Sequence, residues 1–231
     1  MNNKKSIKSR MIFILAGTFI LLFAATFSVA FTISMNSLKS IKYDSMNRVV
    51  RDAANTVSSN INEKFAYAKA IAADQSISNE NISTEEKISI LTDYCSRLNI
   101  RSIGLMDTNA DFITTDGFTN NIANKQYFKD VMSDKTYISN PQLNQDGVQI
   151  TYVAVPIKNS ENKIIGGMTC TFESSFLSDI IKELKYFNMG KSYMLDSNGN
   201  IVASDNIDQV KDAVNVLEDT SVSENVKEIY H

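Results

Sequence analysis

Leu105–Asp116 reads LMDTNADFITTD, and Met194–Asp205 reads MLDSNGNIVASD. Asp107 matches Asp196, Asn109 matches Asn198, Asp116 matches Asp205, and most other pairs keep their character. Each is a hairpin of the same kind, an Asx-rich turn between two half-buried strands. Each also follows a helix and a short approach strand, so the two read as copies of one structural unit. Asp107-x-Asn109-x-Asp111 and Asp196-x-Asn198-x-Asn200 share the opening spacing of a calcium loop. Phe112 and Ile201 replace the Gly such a loop needs, and Phe118 and Ile207 its Glu, so both are assigned to tight turns and no metal is expected.

Outward from the first copy, Arg101 to Met106 is a strand, Asp107 to Ala110 the turn and Phe112 to Thr115 the return strand. Loop-like sequence leads to a short helix near Lys125 to Met132, and Thr136 to Ser139 forms a third strand before Pro141. Gln149 to Ile157 and Ile164 to Phe172 are longer strands, separated by the turn-rich Lys158 to Lys163. Alternation in the last strand places Met168, Cys170 and Phe172 on one face and Gly167, Thr169, Thr171 and Glu173 on the other. The bulky face suits packing against a helix, and the small, hydroxyl-bearing face suits a cavity floor. An amphipathic helix then runs through Phe176, Ile180, Ile181 and Leu184, with Gly190 as its stop.

Upstream, residues 36–75 carry apolar side chains three or four apart, from Leu38 and Ile41 to Phe65, Ala68 and Ile71, without a Pro or Gly. They predict one long helix. Gln75 to Ile82 is polar and reads as a loop. Ser83 with Glu86 makes a capping box for a second helix whose face is Ile88, Leu91, Cys95 and Leu98. Downstream of the second hairpin, Asp208 to Leu217 reads as helix, with Val210, Ala213, Val214 and Leu217 on one side. Nothing there resembles the long strands of the first unit, so the second unit is expected to be incomplete and the chain to be the N-terminal part of a longer protein.

The composition is uneven. The chain has 231 residues, 23 Lys and Arg, 26 Asp and Glu, and a formal net charge of −3. Its first 35 residues carry Lys4, Lys5, Lys8 and Arg10 and no acid, and Met11 to Met35 carries no charge at all. About 20 such residues cross a bilayer as a helix, and flanking cations favour a cytoplasmic N-terminus. A cleaved signal peptide ending at Ser28-Val29-Ala30 fits less well, because its apolar core spans only about 7–15 residues. The expected order is therefore a basic cytoplasmic tip (1–10), a transmembrane helix (11–35) and a long stalk helix (36–75). A ligand-binding unit (76–185) and an incomplete second unit (186–231) follow, all beyond residue 35 lying outside the plasma membrane. The body is acidic, so no nucleic-acid partner is expected.

Absences exclude much chemistry. The one His is His231, so neither a Ser-His-Asp nor a Cys-His system can be assembled, nor a His-based zinc site. Cys95 and Cys170 are too far apart in sequence for a zinc ribbon, and burial as free thiols is the simpler reading than a disulfide. No catalytic residue and no cofactor are expected in this region. An anchored enzyme or a passive adhesion domain stays open in principle, the latter predicting no small-molecule ligand.

The order of short words is specific: Tyr127-Phe128, then Asp134-Lys135-Thr136-Tyr137-Ile138-Ser139-Asn140-Pro141, Val155-Pro156-Ile157, Ile164-Ile165-Gly166 and Ser192-Tyr193-Met194-Leu195-Asp196-Ser197-Asn198-Gly199. Over about residues 36–205 this resembles the double Cache sensor domain. The basic opening Lys5-Ser6-Ile7-Lys8-Ser9-Arg10 is similar to that of many methyl-accepting chemotaxis receptors. The resemblance implies an α+β fold: a transmembrane helix, a long extracytoplasmic helix, a PAS-like antiparallel sheet distal to the membrane, and the start of a second PAS-like unit. It further implies small-solute binding in the distal unit, relay toward the membrane, and dimerisation along the long helix. The same module on a diguanylate cyclase or a histidine kinase is the alternative.

The family's amino-acid-binding subset has an Arg where this chain has Lys125, two residues before Tyr127. Just past the S-x-P word its Tyr and Asp fall on Gln142 and Asn144, and an Asp of its last strand falls on Thr171. The carboxylate that would hold an ammonium group is thus missing. From the residues themselves, Tyr152 adds an aromatic wall with a polar tip. A pocket of Lys125, Tyr127, Gln142, Asn144, Tyr152 and Thr171 prefers a small polar solute, anionic ones included.

Overall fold

The computed structural model describes residues 7–144, 146–184, 192–212 and 214–218. Helix α1 runs from Ile7–Ala72 without interruption. Its N-terminal part is long and apolar enough to cross a membrane, and that stretch is unburied. Three threonines within it bond to the helix's own backbone: Thr18, Thr26 and Thr32 donate to the carbonyls of Leu15, Leu22 and Ser28 at 2.9, 3.0 and 2.8 Å. A helix in hydrocarbon requires this, since no water is available there. Of the cytoplasmic tip expected over residues 1–10, residues 1–6 lie outside the described residues, as does the helix stop at Gly190, and residues 7–10 are the first turn of α1.

Beyond residue 52 the chain forms a separate compact unit. Here α1 ends at Ala72, and α2 (Gln75–Ser78) follows where a loop was expected. Its cause is Asp74, whose side chain accepts from the Ser76 N–H at 2.8 Å and from the Tyr94 hydroxyl at 2.5 Å, tying α2 to α3 (Thr84–Leu98). α3 starts as the sequence predicts, with the Ser83 hydroxyl accepting from the Glu86 N–H at 3.2 Å, and ends on Asn99 in a left-handed conformation (φ 52°).

The hydroxyl of Tyr94 and the backbone of Ser76 hold the Asp74 carboxyl below the usual carboxylate range, against the opposing effect of burial. A depressed folded value means the carboxylate contributes stability above the unfolded value, about 4, and loses it as pH falls through the folded one. Asp74→Asn should therefore lower stability at pH 7 and flatten its fall below about pH 4. Urea melts of both forms between pH 2.5 and 7 measure this, and parallel curves would disprove it.

The sheet is antiparallel, in the order β3-β2-β1-β7-β6-β4, with β5 beside β4 on β6. Its strands are β1 (Ser102–Met106), β2 (Asp111–Thr114), β3 (Thr119–Asn121), β4 (Tyr137–Ile138), β5 (Gln142–Leu143), β6 (Gln149–Lys158) and β7 (Ile164–Glu173). β3 and β5 were not visible in the sequence. The alternation of β7 decides the layers. Met168, Cys170 and Phe172 join Ala68, Ile71 and Ala72 of α1 and Leu91 of α3 in the main core. On the opposite face α4 (Gln126–Met132) covers a second core of Met106, Ala110, Ile122, Val131 and Ala154. Each fully buried aliphatic side chain contributes about 1.5–3 kcal/mol. Cys95 and Cys170 are both free. Burial raises the pKa of each, so neither is a ready thiolate.

After α5 (Phe176–Glu183), the second hairpin pairs β8 (Tyr193–Leu195) with β9 (Ile201–Ser204). Its turn repeats the first in atomic detail. Asp107 Oδ1 accepts from the backbone N–H groups of Asn109 and Asp111 at 2.9 and 2.8 Å, and Asp196 Oδ1 from those of Asn198 and Asn200 at 2.9 and 2.9 Å. The repeat reaches a third segment: Asn121 Nδ2 donates to the Asn109 carbonyl and Asp111 Oδ1, as Asn215 Nδ2 does to the Asn198 carbonyl and Asn200 Oδ1. The helix expected over Asp208 to Leu217 is therefore shorter. α6 covers only Ile207–Lys211, because Asn215 is drawn into a β-bridge with Asn200.

Candidate functional site

The α4-covered face of the sheet is built from cross-strand rows. One row runs Tyr137, Ala154, Thr169, Gly104, Thr114, and the next Tyr152, Thr171, Ser102. The floor is thus small and hydroxyl-bearing, with aromatic side chains at its edge. Gly104 is required: a Cβ there would lie 2.2 Å from the Phe112 ring, which crosses the floor, and 2.8 Å from Thr169 Oγ1. α4 is seated by Val131, which occupies the space above Gly167. That places Tyr127, one turn earlier, over the rows of Thr169 and Thr171.

Three tyrosines meet there. Tyr127 lies 5.4 Å from Tyr152 and 6.0 Å from Tyr137, ring centroid to centroid, and Tyr137 stacks on Tyr152 at 6.0 Å. Phe112 adds an edge contact with Tyr127 at 6.4 Å. Burial pushes the Tyr127 phenol up, with Tyr137 adding to the effect. Burial also leads for Tyr152, which Tyr137 and Tyr127 push further. Both phenols therefore stay neutral at physiological pH, able to donate and accept hydrogen bonds.

Of the six residues singled out in the sequence, Tyr127, Tyr152 and Thr171 come together on this face. Gln142 shares it at the exposed edge, opposite Ile150 and so on the same side as Tyr152. Lys125 is the exposed N-cap residue of α4 and makes no side-chain capping bond. Asn144 is engaged elsewhere. Its Oδ1 accepts from the N–H groups of Asp146 and Val148 at 3.0 and 2.8 Å, and its Nδ2 donates to Asp146 at 3.1 Å, fastening the β5–β6 turn. Tyr137 and Phe112 were missed. Tyr137 sits in a two-residue strand, and only its register against Ala154 reveals its face.

A cleft of about 490 Å³ opens on the sheet elsewhere, lined by Lys87, Asp107, Asp111 and Gly166, and takes in none of the six. Among the described residues no group of three His, Cys, Asp or Glu side chains is placed to hold a metal.

The Cache domain profile matches residues 34–230. The chain belongs to the Cache family. Its fold is shared by the sensory domain of the Campylobacter jejuni chemoreceptor Tlp3 with isoleucine bound (16% identity, 84% of this chain and 81% of that one, TM-score 0.64). The ligand-binding domain of the Pseudomonas aeruginosa PAO1 amino acid chemoreceptor PctC in complex with GABA is similar too (15% identity, 68% and 73%, TM-score 0.60). So is that of the Pseudomonas fluorescens chemoreceptor CtaA in complex with L-serine (15% identity, 71% and 70%, TM-score 0.51). No curated protein sequence matches the chain. The tyrosine cluster and hydroxyl floor thus lie within a Cache sensor module, a ligand-binding unit rather than an enzyme.

Proposed function

We propose that this Cache protein is the extracytoplasmic input region of a transmembrane receptor, most like a methyl-accepting chemotaxis receptor, and that it senses a small polar solute between α4 and the sheet. The supporting observation is the meeting of Tyr127, Tyr137 and Tyr152 over a floor of Thr169 and Thr171. Neutral hydroxyls and ring faces recognise a small polar molecule, and the positive charge of Lys125, exposed at the start of α4 two residues before Tyr127, favours a carboxylate on it. Distal sensing and the membrane-proximal role of the second unit rest on the family, as does the cytoplasmic placement of residues 1–10. The apolar stretch of α1 anchors the sensor. Leu38, Ile41 and Met46 are exposed at helical spacing just beyond it and fit packing against a second copy.

Signalling is a population shift, so the solute must bind two arrangements of sheet and α1 with different affinity. Thermal unfolding of the full chain in lipid nanodiscs, against amino acids and two- to four-carbon carboxylates, tests this. At 100 times its Kd a ligand stabilises by about 2.7 kcal/mol, which for a domain of this size raises Tm by roughly 5–10 °C. Thr171→Ala should weaken that rise. A silent panel, or a ligand indifferent to Thr171→Ala, would count against the site.

A further inference from the structure

A cavity of about 220 Å³ lies on the opposite, α1-facing side of β6 and β7, away from the tyrosine cluster. Val57, Ile61 and Lys64 of α1 bound it at helical spacing, Phe172 and Leu177 form its wall, and Met194 of the second hairpin also lines it. Its lining is mainly apolar, yet two polar groups in it are unpartnered. Ser174 is 1% exposed, and its hydroxyl and that of Thr151 are buried without a hydrogen bond. Buried hydroxyls are rarely left so. Lys64 is the one cation in the lining, and its Nζ stands 4.9 Å from the Phe172 ring centroid and makes no ion pair among the described residues. The two lining acids are already engaged: Glu173 pairs with Arg101 at 3.3 Å, and Asp196 accepts from Asn140 at 3.0 Å and from its own turn.

We infer that this cavity is a second ligand site, for a short-chain aliphatic monocarboxylate. By proportion to a cavity of about 150 Å³ that holds benzene, 220 Å³ accepts up to about nine non-hydrogen atoms. A four- to six-carbon acid fits that size. Its chain lies among Val57, Ile61, Phe172 and Leu177, and its carboxylate reaches Lys64 and accepts from the hydroxyls of Ser174 and Thr151. Such a ligand would touch α1, the first sheet and the second hairpin at once, and so bias the junction between the two units independently of the tyrosine site.

Calorimetric titration of the full chain in nanodiscs with pentanoate tests this. Saturable binding of one pentanoate per chain is expected, with acetate and 1-pentanol each weaker by roughly tenfold, the loss expected for missing apolar contacts or a missing charge-assisted bond. Lys64→Gln should weaken pentanoate to the same degree, and Tyr127→Ala should leave it unchanged. Leu177→Trp fills the cavity and should abolish binding; if that variant does not fold, Met194→Phe replaces it. No saturable binding at millimolar pentanoate, equal affinity for 1-pentanol, or affinity unaltered in Lys64→Gln would overturn the site. Loss in Tyr127→Ala would place the acid in the tyrosine cluster instead.

Discussion

Gly166→Ala should destabilise the sensor by about 3 kcal/mol, seen as a fall in Tm of roughly 6–12 °C. The cause is backbone against backbone. A Cβ at this position would lie 2.4 Å from the Met106 carbonyl oxygen and 3.6 Å from the Asp107 Cα. No side chain can swing aside to make room, because the obstacle is the end of β1 itself. The site sits beside a bulge, where the β6–β7 register shifts between Ile157 and Lys158. β7 is also the strand that carries both neighbours, pairing with β1 over five residues and with β6 along nearly its whole length. Displacing it by the ångström or so needed would loosen both cores at once, since Met168, Cys170 and Phe172 face one and Gly167 abuts Val131 in the other. Circular dichroism melts of the two forms give the comparison. A drop of less than about 2 °C would mean that the bulge yields and the sheet is more compliant than close packing implies.

What was legible in the sequence was local. The hairpin turns are held by Asp107 and Asp196 bonding to backbone within four residues, and the capping of α3 by Ser83 within three, so motif and structure coincide. The faces of β7 were legible because a ten-residue strand fixes its own alternation. Short elements were not. β3 and β5 are three and two residues long and exist only because a neighbour pairs with them, whereas β4 was expected within Thr136 to Ser139. Two paired residues do not fix a face, so Tyr137 was overlooked as a site residue, and Asn144, read as a pocket group, turns its side chain to the β5–β6 turn. The third limb of the repeat escaped for another reason. Asn121 comes 12 residues after Asn109 and Asn215 comes 17 after Asn198, so no fixed offset aligns them although their hydrogen bonds correspond.

Removing the central ring of the tyrosine cluster is expected to have the largest effect on ligand affinity. Tyr127→Ala should weaken whichever solute the nanodisc panel identifies by roughly 30-fold or more, the loss of a buried aromatic anchor being about 2 kcal/mol or above. Tyr127 contacts Phe112, Tyr137 and Tyr152, so its deletion leaves a gap that neither strand can close. Tyr127→Phe separates ring from hydroxyl. It keeps the ring contacts and should cost roughly tenfold if the phenol bonds the solute directly, and nothing if the phenol only packs. Lys125→Gln supplies the third comparison. Lys125 is exposed and spends nothing on capping α4, so losing its charge should leave Tm unchanged while weakening an anionic solute more than a neutral one. Calorimetric Kd values for the three variants with one ligand decide the matter. Full affinity in Tyr127→Ala would mean that the solute binds away from α4, and the floor of Thr169 and Thr171 would then be packing alone.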